Sequence, residues 1–550
     1  MVHLDDWLPY SYWPVYDSPN SHCTIAQVVP ETPDIGYTAG QIRSWQRECE
    51  LGHRVCGKFN ITDVPLPPRV LLIVARKSQI IVQLKDSAGQ NGRYVALSYV
   101  WGDYGQFTLT SESEQSLRAG LKSTVFPKTI CEAIELTHAL GFRYLWIDAL
   151  CIKQDLPSDW NAQSTLMGQI YGNAGLTIMA ARSTGVQNGF LKPTAPCAVY
   201  CGAAEFRETV KPVFLTHSRR AVVSGHFSDP GPLDFRAWAF QEEYLSRRKV
   251  KFTSRQMEWH CQMAKFEEQE RVPSLHKYRA QCTIPKFGIL TDRERWRELV
   301  QRYSARNITY RKDRLPAISG VARSYAAYTD YTYLAGLWSG PDLIEFLLWF
   351  RATISSQCSN PADTQSPNMA PSWSWIAVDA PVEFKKWLRS NKHIVTKLDL
   401  NCSVTLKTID TFGEVIGGHL EFSAPAIKTT IAALLDSKDY AQSVYQMDGS
   451  VFLQDIFSEH MMKRMSVAGE RAKVYLDKSQ SRIDYDNDKE SQTYCAVLGY
   501  DFLGESFYGM YGIIVTPVSL PLRTFRRIGM FECLSRLRGS RCELDRFRII

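Results

Sequence analysis

The sequence lacks the short motifs that announce the commonest chemistries. It has no GxxxxGK[ST] phosphate loop, no GxGxxG turn, no GxSxG nucleophile elbow and no HExxH zinc helix, and its 11 histidines are dispersed. Nucleotide-hydrolase, hydrolase-elbow and zinc-protease readings therefore lose their support. It also lacks a long apolar run. The best stretch, Leu343 to Phe350, starts beside Asp342 and falls far short of the ~20 residues that a membrane helix needs. Met1 to Asp17 is aromatic and acidic, with no basic start, so no secretory signal is expected there. Charge of one sign is scarce: Lys+Arg 64 against Asp+Glu 57 leaves +7 over 550 residues, too thin for a specific nucleic-acid partner unless concentrated. The 14 cysteines show no framework of regular spacings, so they are expected to be reduced thiols of a cytoplasmic protein, and the sequons at Asn60, Asn307 and Asn401 carry no weight.

What is present is a long globular chain. At about 100–200 residues per domain, 550 residues imply two to four domains. A hydrophobic share of 45% against 22% charged excludes a wholly disordered or fibrous chain. Residues 1–40 are rich in Pro, Ser, Tyr and Asp and look irregular; residues 42–56 pattern as a short amphipathic helix. Val70–Ala75 and Gln79–Leu84 have the β-branched composition of strands. Three continuous apolar runs follow, Tyr94–Val100, Phe142–Leu150 and Leu176–Ala181. Between the first two lies a helix pattern opened by Pro127 and stopped by Gly141. A second helix, with Asp159 as its expected N-cap, runs to Tyr171. Buried strands joined by short helical crossovers predict a parallel, doubly wound α/β sheet. A helix is expected near Phe235, then the strand KVKFT.

From these patterns we expect four regions: a lead-in over 1–90, the α/β domain over 91–250 with an insertion at 182–232, a helical region over 251–370, and a mostly β region over 371–550. The helical region should hold Arg293–Tyr303, Ala317–Ala327 and Leu343–Thr353. Residues 355–370 and Asp484–Glu490 look like loops. Trp373 and Trp375 would share one face of a strand as buried packing. Eight arginines against three acids give 521–550 a net +5, with TFRRIGMFEC expected as a closing, solvated edge strand.

Candidate chemistry gathers where the apolar strands end. An open parallel sheet binds ligands beyond the carboxyl ends of its strands. The first strand delivers Ser98, Trp101, Gly102 and Asp103 to that edge, and the second delivers Asp148 and Cys151. These groups suit a ribose, a phosphate and a flat base; core packing for the tryptophans and a plain turn for Gly102 are the alternative. Arg236 and Trp238 open a helix carrying adjacent Glu242 and Glu243. Glu242 shares the Trp238 face, whereas Glu243 should be exposed or paired with Arg247. Cys49, His53 and Cys56 are spaced to share a helix face. Structural zinc wants four ligands, and only a distant residue such as Cys23 would complete the set, so no metal is assigned. The alternative is a buried face using Cys as a small hydrophobe. Cys261 follows His260 without an orienting group, which argues against a Cys–His nucleophile.

YVALSYVWG, LGFRYLWIDALCIKQD with DW and IYGNAGLTIMAA after it, and RAWAFQEEYLSRR, in that order and at these spacings, resemble the fungal heterokaryon-incompatibility (HET) domain family. IRSWQRECELGHRVC with LPPRVLLIV resembles the lead-in of such proteins. RNITYRKDRLPAISGVA, YLAGLW and APSWSWIAVDAPV resemble the region that follows the domain in large members. The resemblance implies a fold similar to Toll/interleukin-1 receptor (TIR) domains, followed here by an α+β region. It also implies a role in fungal non-self recognition and programmed cell death. Partners would be another copy through the HET domain or an incompatibility protein. Some TIR domains cleave NAD with a glutamate in a W-C-x-x-E-L pattern. Trp238-Ala239-Phe240-Gln241-Glu242-Glu243 places Glu242 on that glutamate, with Ala239 and Glu243 departing from the pattern. NAD(P) would then be a substrate cleaved with Glu242 as the catalytic residue, and Ser98, Trp101, Gly102, Asp103, Asp148, Arg236 and Trp238 would hold it. No prosthetic group is implied. The alternative is a non-catalytic TIR-like module that signals by self-association.

Overall fold

A computed structural model of the chain describes residues 11–15, 32–58, 64–76, 79–192, 198–206, 209–218, 230–268, 292–340, 343–352, 370–385, 392–394, 400–430, 450–452, 472–477, 492–502, 508–519, 521–535 and 543–550. The chain divides into two compact units, Met1–Ile289 and Leu290–Ile550. Cys23 and the loops at 355–369 and Asp484–Glu490 lie outside the described residues.

The first unit is built on a nine-stranded sheet. Its strands are β1 (Arg69–Arg76), β2 (Gln79–Asp86), β3 (Tyr94–Ser98), β4 (Leu121–Lys122), β5 (Tyr144–Trp146), β6 (Leu176–Met179), β7 (Arg248–Phe252), β8 (Met257–Cys261) and β9 (Lys265–Glu267). They lie in the order β9-β8-β7-β6-β3-β5-β1-β2-β4. Only the four central strands are mutually parallel: β5 beside β3, β3 beside β6, β6 beside β7. The remaining neighbours are antiparallel. The sheet is therefore mixed rather than mostly parallel, because a tight β1–β2 hairpin and the β7–β8–β9 meander extend a parallel core at both sides.

The fully apolar runs occupy the middle of that core. Every residue of β3 and β6 is buried, as the unbroken YVALS and LTIM patterns require of strands covered on both faces. Each buried Leu, Val or Ile there stabilises by roughly 1.5–3 kcal/mol. The crossovers are helices α2 (Lys128–Ala139), α3 (Pro157–Asn173) and α4 (Ala239–Leu245). Chain order β3, β5, β6, β7 maps onto spatial order β5-β3-β6-β7, so the winding reverses about β3. Right-handed crossovers then place α2 on one face and α3 on the other. Consistent with this, the lead-in helix α1 (Ile35–Gly52) packs on α2, and α3 packs on α4.

Several local expectations shift. Helix α1 starts at Ile35, not 42, because Asp34 caps it by accepting the Tyr37 N–H at 2.7 Å. It ends at Gly52, and Cys56–Lys58 form a separate 3-10 turn. The strand expected over Phe142–Leu150 closes at Trp146, since Asp148–Cys151 wind into one helical turn, with Cys151 N–H on the Ile147 carbonyl at 2.8 Å. Asp159 does not cap α3, which starts at Pro157. Its carboxylate instead binds Arg69 and accepts the Lys153 N–H at 2.8 Å, tying the loop after β5 to β1. The 182–232 insertion contributes strands Ala198–Phe206 and Thr209–Ser218, which with Ser11–Val15 make a separate three-stranded antiparallel sheet.

In the second unit, helices Asp292–Ser304 and Pro316–Ala326 precede a mainly antiparallel sheet that includes Val415–Thr430, Gln492–Phe502, Tyr508–Ser519, Thr524–Ser535 and Glu543–Ile549. The expected helix from Leu343 ends at Leu347, and Trp349–Arg351 is a strand. Trp373 and Trp375 are fully buried, but in a turn rather than a strand; the Trp375 indole N–H donates to the Gly336 carbonyl at 2.9 Å. Thr524–Ser535 is not an edge. It pairs with Ala472–Leu476 on one side and Tyr508–Ser519 on the other, and Arg527 within it is buried.

Candidate functional site

The reversal of winding between β3 and β6 is where a doubly wound sheet opens a crevice at its carboxyl ends. Ser98 is the last residue of β3, and its hydroxyl donates to the Glu242 carboxylate. Glu242 stands on the first turn of α4, one turn beyond Trp238, and is buried at 6% exposure. The Tyr171 hydroxyl, from the last turns of α3, donates to the Leu97 carbonyl at 2.9 Å and also meets the Glu242 carboxyl group.

Asp148 enters from the turn after β5. One of its oxygens accepts the Trp101 indole N–H at 2.9 Å, the other the Ala149 N–H at 2.7 Å. Arg236 donates to the Tyr99 carbonyl, and its charge acts on both Asp148 and Glu242. Trp238 meets Trp160 edge to face, ring centres 5.9 Å apart. Gly102 turns the chain after Trp101 with φ +78°. A Cβ there would also sit 3.1 Å from the Gly185 Cα, so the position requires glycine on both counts. Asp103 is exposed in the following bend, outside this network.

Both carboxyl groups sit in a water-poor site that opposes their ionisation. Burial pushes the Glu242 carboxyl up to about 7. Arg236 and the Ser98 hydroxyl pull it down, but not enough to offset lost hydration, and Asp148 pushes it further up. Burial also raises Asp148, against Arg236 and its N–H donors. Glu242 is thus an acid poised near neutrality, able to exist protonated or as a carboxylate depending on what enters beside it.

Residues 94–242 match the family model "Heterokaryon incompatibility protein (HET)". This segment is a HET domain. It begins with the first residue of β3 and ends on Glu242, so it spans three of the four parallel strands, β3, β5 and β6, and the whole network above. No curated protein and no solved structure matches the chain.

Within the HET domain, the structure joins Ser98, Trp101, Asp148, Arg236 and Glu242 in one network, with Trp238 at its side and Asp103 apart. Glu243, expected to be exposed or paired with Arg247, is half-buried and pairs with Lys251 at 3.4 Å, beside Asp234. Tyr99, Tyr171 and Trp160 were not singled out by sequence. Tyr99 adjoins Ser98 and carried a signal; Tyr171 and Trp160 sit on α3, where apolar periodicity hides a polar tip. Among the described residues, no helix is long and apolar enough to cross a membrane.

Proposed function

We propose that the HET domain binds NAD or NADP at the β3–β6 crevice and hydrolyses its nicotinamide–ribose bond, giving nicotinamide and the ADP-ribose product. The observation that carries this reading is the buried Glu242, held by Ser98 at the switch point with Asp148 and Arg236 beside it. Cleaving that bond develops oxocarbenium character on the ribose, which a carboxylate at its face stabilises as in glycosidases. Nicotinamide leaves as a neutral molecule from a cationic precursor, so no second acid is needed. Water supplies the hydroxyl to the ribose, and its proton is released. Asp148 and Ser98 suit the ribose hydroxyls, Arg236 and the N–H groups after Trp101 suit phosphate, and Trp101 and Trp238 offer flat faces.

The arrival of the pyridinium cation favours the ionised form of Glu242, so substrate itself readies the carboxylate. The β5-β3-β6-β7 order supports a TIR-like architecture. Loss of NAD would make the protein a cytoplasmic death effector in fungal non-self recognition, triggered by self-association or by an incompatibility partner. Expression of the full chain in yeast, with cellular NAD measured over time, tests this. A several-fold fall with wild type, absent with Glu242→Gln at equal protein level, is expected. Growth arrest by both forms with NAD unchanged would instead support signalling by self-association.

A further inference from the structure

The first unit holds a second cluster that the reading above does not use. Cys49 lies in the last turns of α1, His53 immediately after the helix, Cys56 in the 3-10 turn, and Cys261 at the end of β8, where the hairpin to β9 begins. Their ligand atoms, three Sγ and one imidazole nitrogen, all lie within 4.8 Å of one another. Cys49, His53 and Cys56 are buried and Cys261 is partly so. The three cysteines carry free thiols. We propose that Cys49, His53, Cys56 and Cys261 form a structural zinc site that clips the lead-in helix to the edge hairpin of the sheet.

Several features support it. The donor set, three thiols and one imidazole, is a complete tetrahedral zinc complement, with no position left open for substrate. Zn–S bonds of about 2.3 Å and Zn–N bonds of about 2.0 Å put tetrahedral ligands under ~4 Å apart, a modest contraction from the observed spread. His53 Nδ1 already stands 3.3 Å from Cys261 Sγ.

The surroundings match a metal thiolate. The Ala264 N–H points at Cys261 Sγ at 3.2 Å, a donor that a thiolate accepts well. Buried Arg248, opposite Cys261 on β7, directs its Nε at Cys49 Sγ at 3.5 Å and its Nη2 at the Cys56 carbonyl at 2.9 Å. Three thiolates and Zn²⁺ leave one negative charge, which Arg248 neutralises. An apolar cysteine cluster would have no use for a buried guanidinium there. The His53 ring is seated against Phe266, centres 5.9 Å apart, which fixes the imidazole.

The ligands come from segments 208 positions apart in the chain. Cys261 completes the set that Cys49, His53 and Cys56 leave one short. Those three do not converge on one helix face: α1 stops at Gly52, and the turn folds Cys56 back. That turn brings the backbone of Gly57 so close to the Glu50 carbonyl oxygen that a Cβ at 57 would lie 2.8 Å from it.

The test is metal analysis of the full chain purified under reducing conditions, followed by exchange with Co²⁺. We expect about one zinc per chain, and intense thiolate-to-cobalt absorption with the visible bands of a tetrahedral site after exchange. Cys261→Ser and Cys49→Ser should lose the metal, and Cys131→Ser should keep it. Cys56→His preserves four ligands, so it should hold one metal with weaker charge-transfer absorption, which separates ligand loss from misfolding. A wild-type chain that takes up neither Zn²⁺ nor Co²⁺, a disulfide among Cys49, Cys56 and Cys261, or zinc retained in Cys261→Ser would each overturn the assignment.

Discussion

Glu242→Gln is expected to stabilise the first unit above pH 7 while removing the proposed NAD cleavage. The Glu242 carboxyl titrates near 4.5 when exposed and at about 7 in the fold. A raised folded value favours the folded state below pH 4.5, where both forms are protonated. That favour is lost as pH climbs through 7, because the buried side chain must then bear a charge that burial opposes. The difference corresponds to a penalty on the order of 3 kcal/mol at pH 8. Gln keeps the shape and still accepts from Ser98, but never ionises. Thermal unfolding of both forms from pH 5 to 8 measures this. The variant should gain several degrees at pH 8 and little at pH 5. Equal midpoints at every pH would mean that Glu242 pays no burial penalty, and its role as a strained functional acid would fall. Stability gained by disabling a site is the behaviour expected of a residue kept for chemistry rather than for packing.

The second large effect lies in the other unit. Arg527→Ala is expected to unfold the β region or cost about 3–5 kcal/mol. The Arg527 side chain is fully buried and pairs with Asp477 at 3.3 Å. It donates to the Leu347 carbonyl at 3.0 Å and to the Trp349 carbonyl, with its guanidinium carbon 3.4 Å from the Trp349 ring centre. Burial lifts the Asp477 carboxyl to about 6 and lowers the Arg527 guanidinium to about 10, so each ion depends on the other. Removing one leaves an unpaired buried charge and two carbonyls without a donor. The double replacement Arg527→Met with Asp477→Leu should recover most of the loss, since it removes both charges together. Urea unfolding of the three forms checks this, and a single Arg527→Ala within 1 kcal/mol of wild type would contradict it.

How far the fold was legible depended on whether its determinants are local. Continuous apolar strands such as YVALS and LTIM, and a helix bracketed by Pro127 and Gly141, declare themselves within a dozen residues. The antiparallel flanks of the sheet do not, because β1–β2 and β8–β9 look like any hairpin until their neighbours are known. Asp148 shows the same limit at one residue: the apolar run through FRYLWIDAL suggested a longer strand, but the Ile147 carbonyl accepts the Cys151 N–H and a helical turn begins at Asp148.

The site was partly legible for a related reason. Ser98, Trp101 and Asp148 follow strands whose ends an α/β sheet must bring together. Arg236 and Glu242 reach the same edge because α4 returns to β7 beside β6. Tyr171 was hidden because one hydroxyl at the tip of a buried ring leaves no mark on hydrophobic periodicity. Arg527 was read as part of a solvated basic strand since an arginine-rich run looks exposed; a partner acid 50 positions upstream and two carbonyls from a third segment made burial tolerable.

The measurement that tests the central claim most directly is nicotinamide release from NAD by the purified full chain, concentrated to favour self-association, across pH 5.5 to 8.5. The proposed reaction uses Glu242 as the carboxylate, so kcat/KM should rise with pH through about 7, and Glu242→Gln should lose at least about 100-fold, the scale of one transition-state charge contact. NAD left intact by concentrated wild-type protein, or release undiminished in Glu242→Gln, would contradict the account.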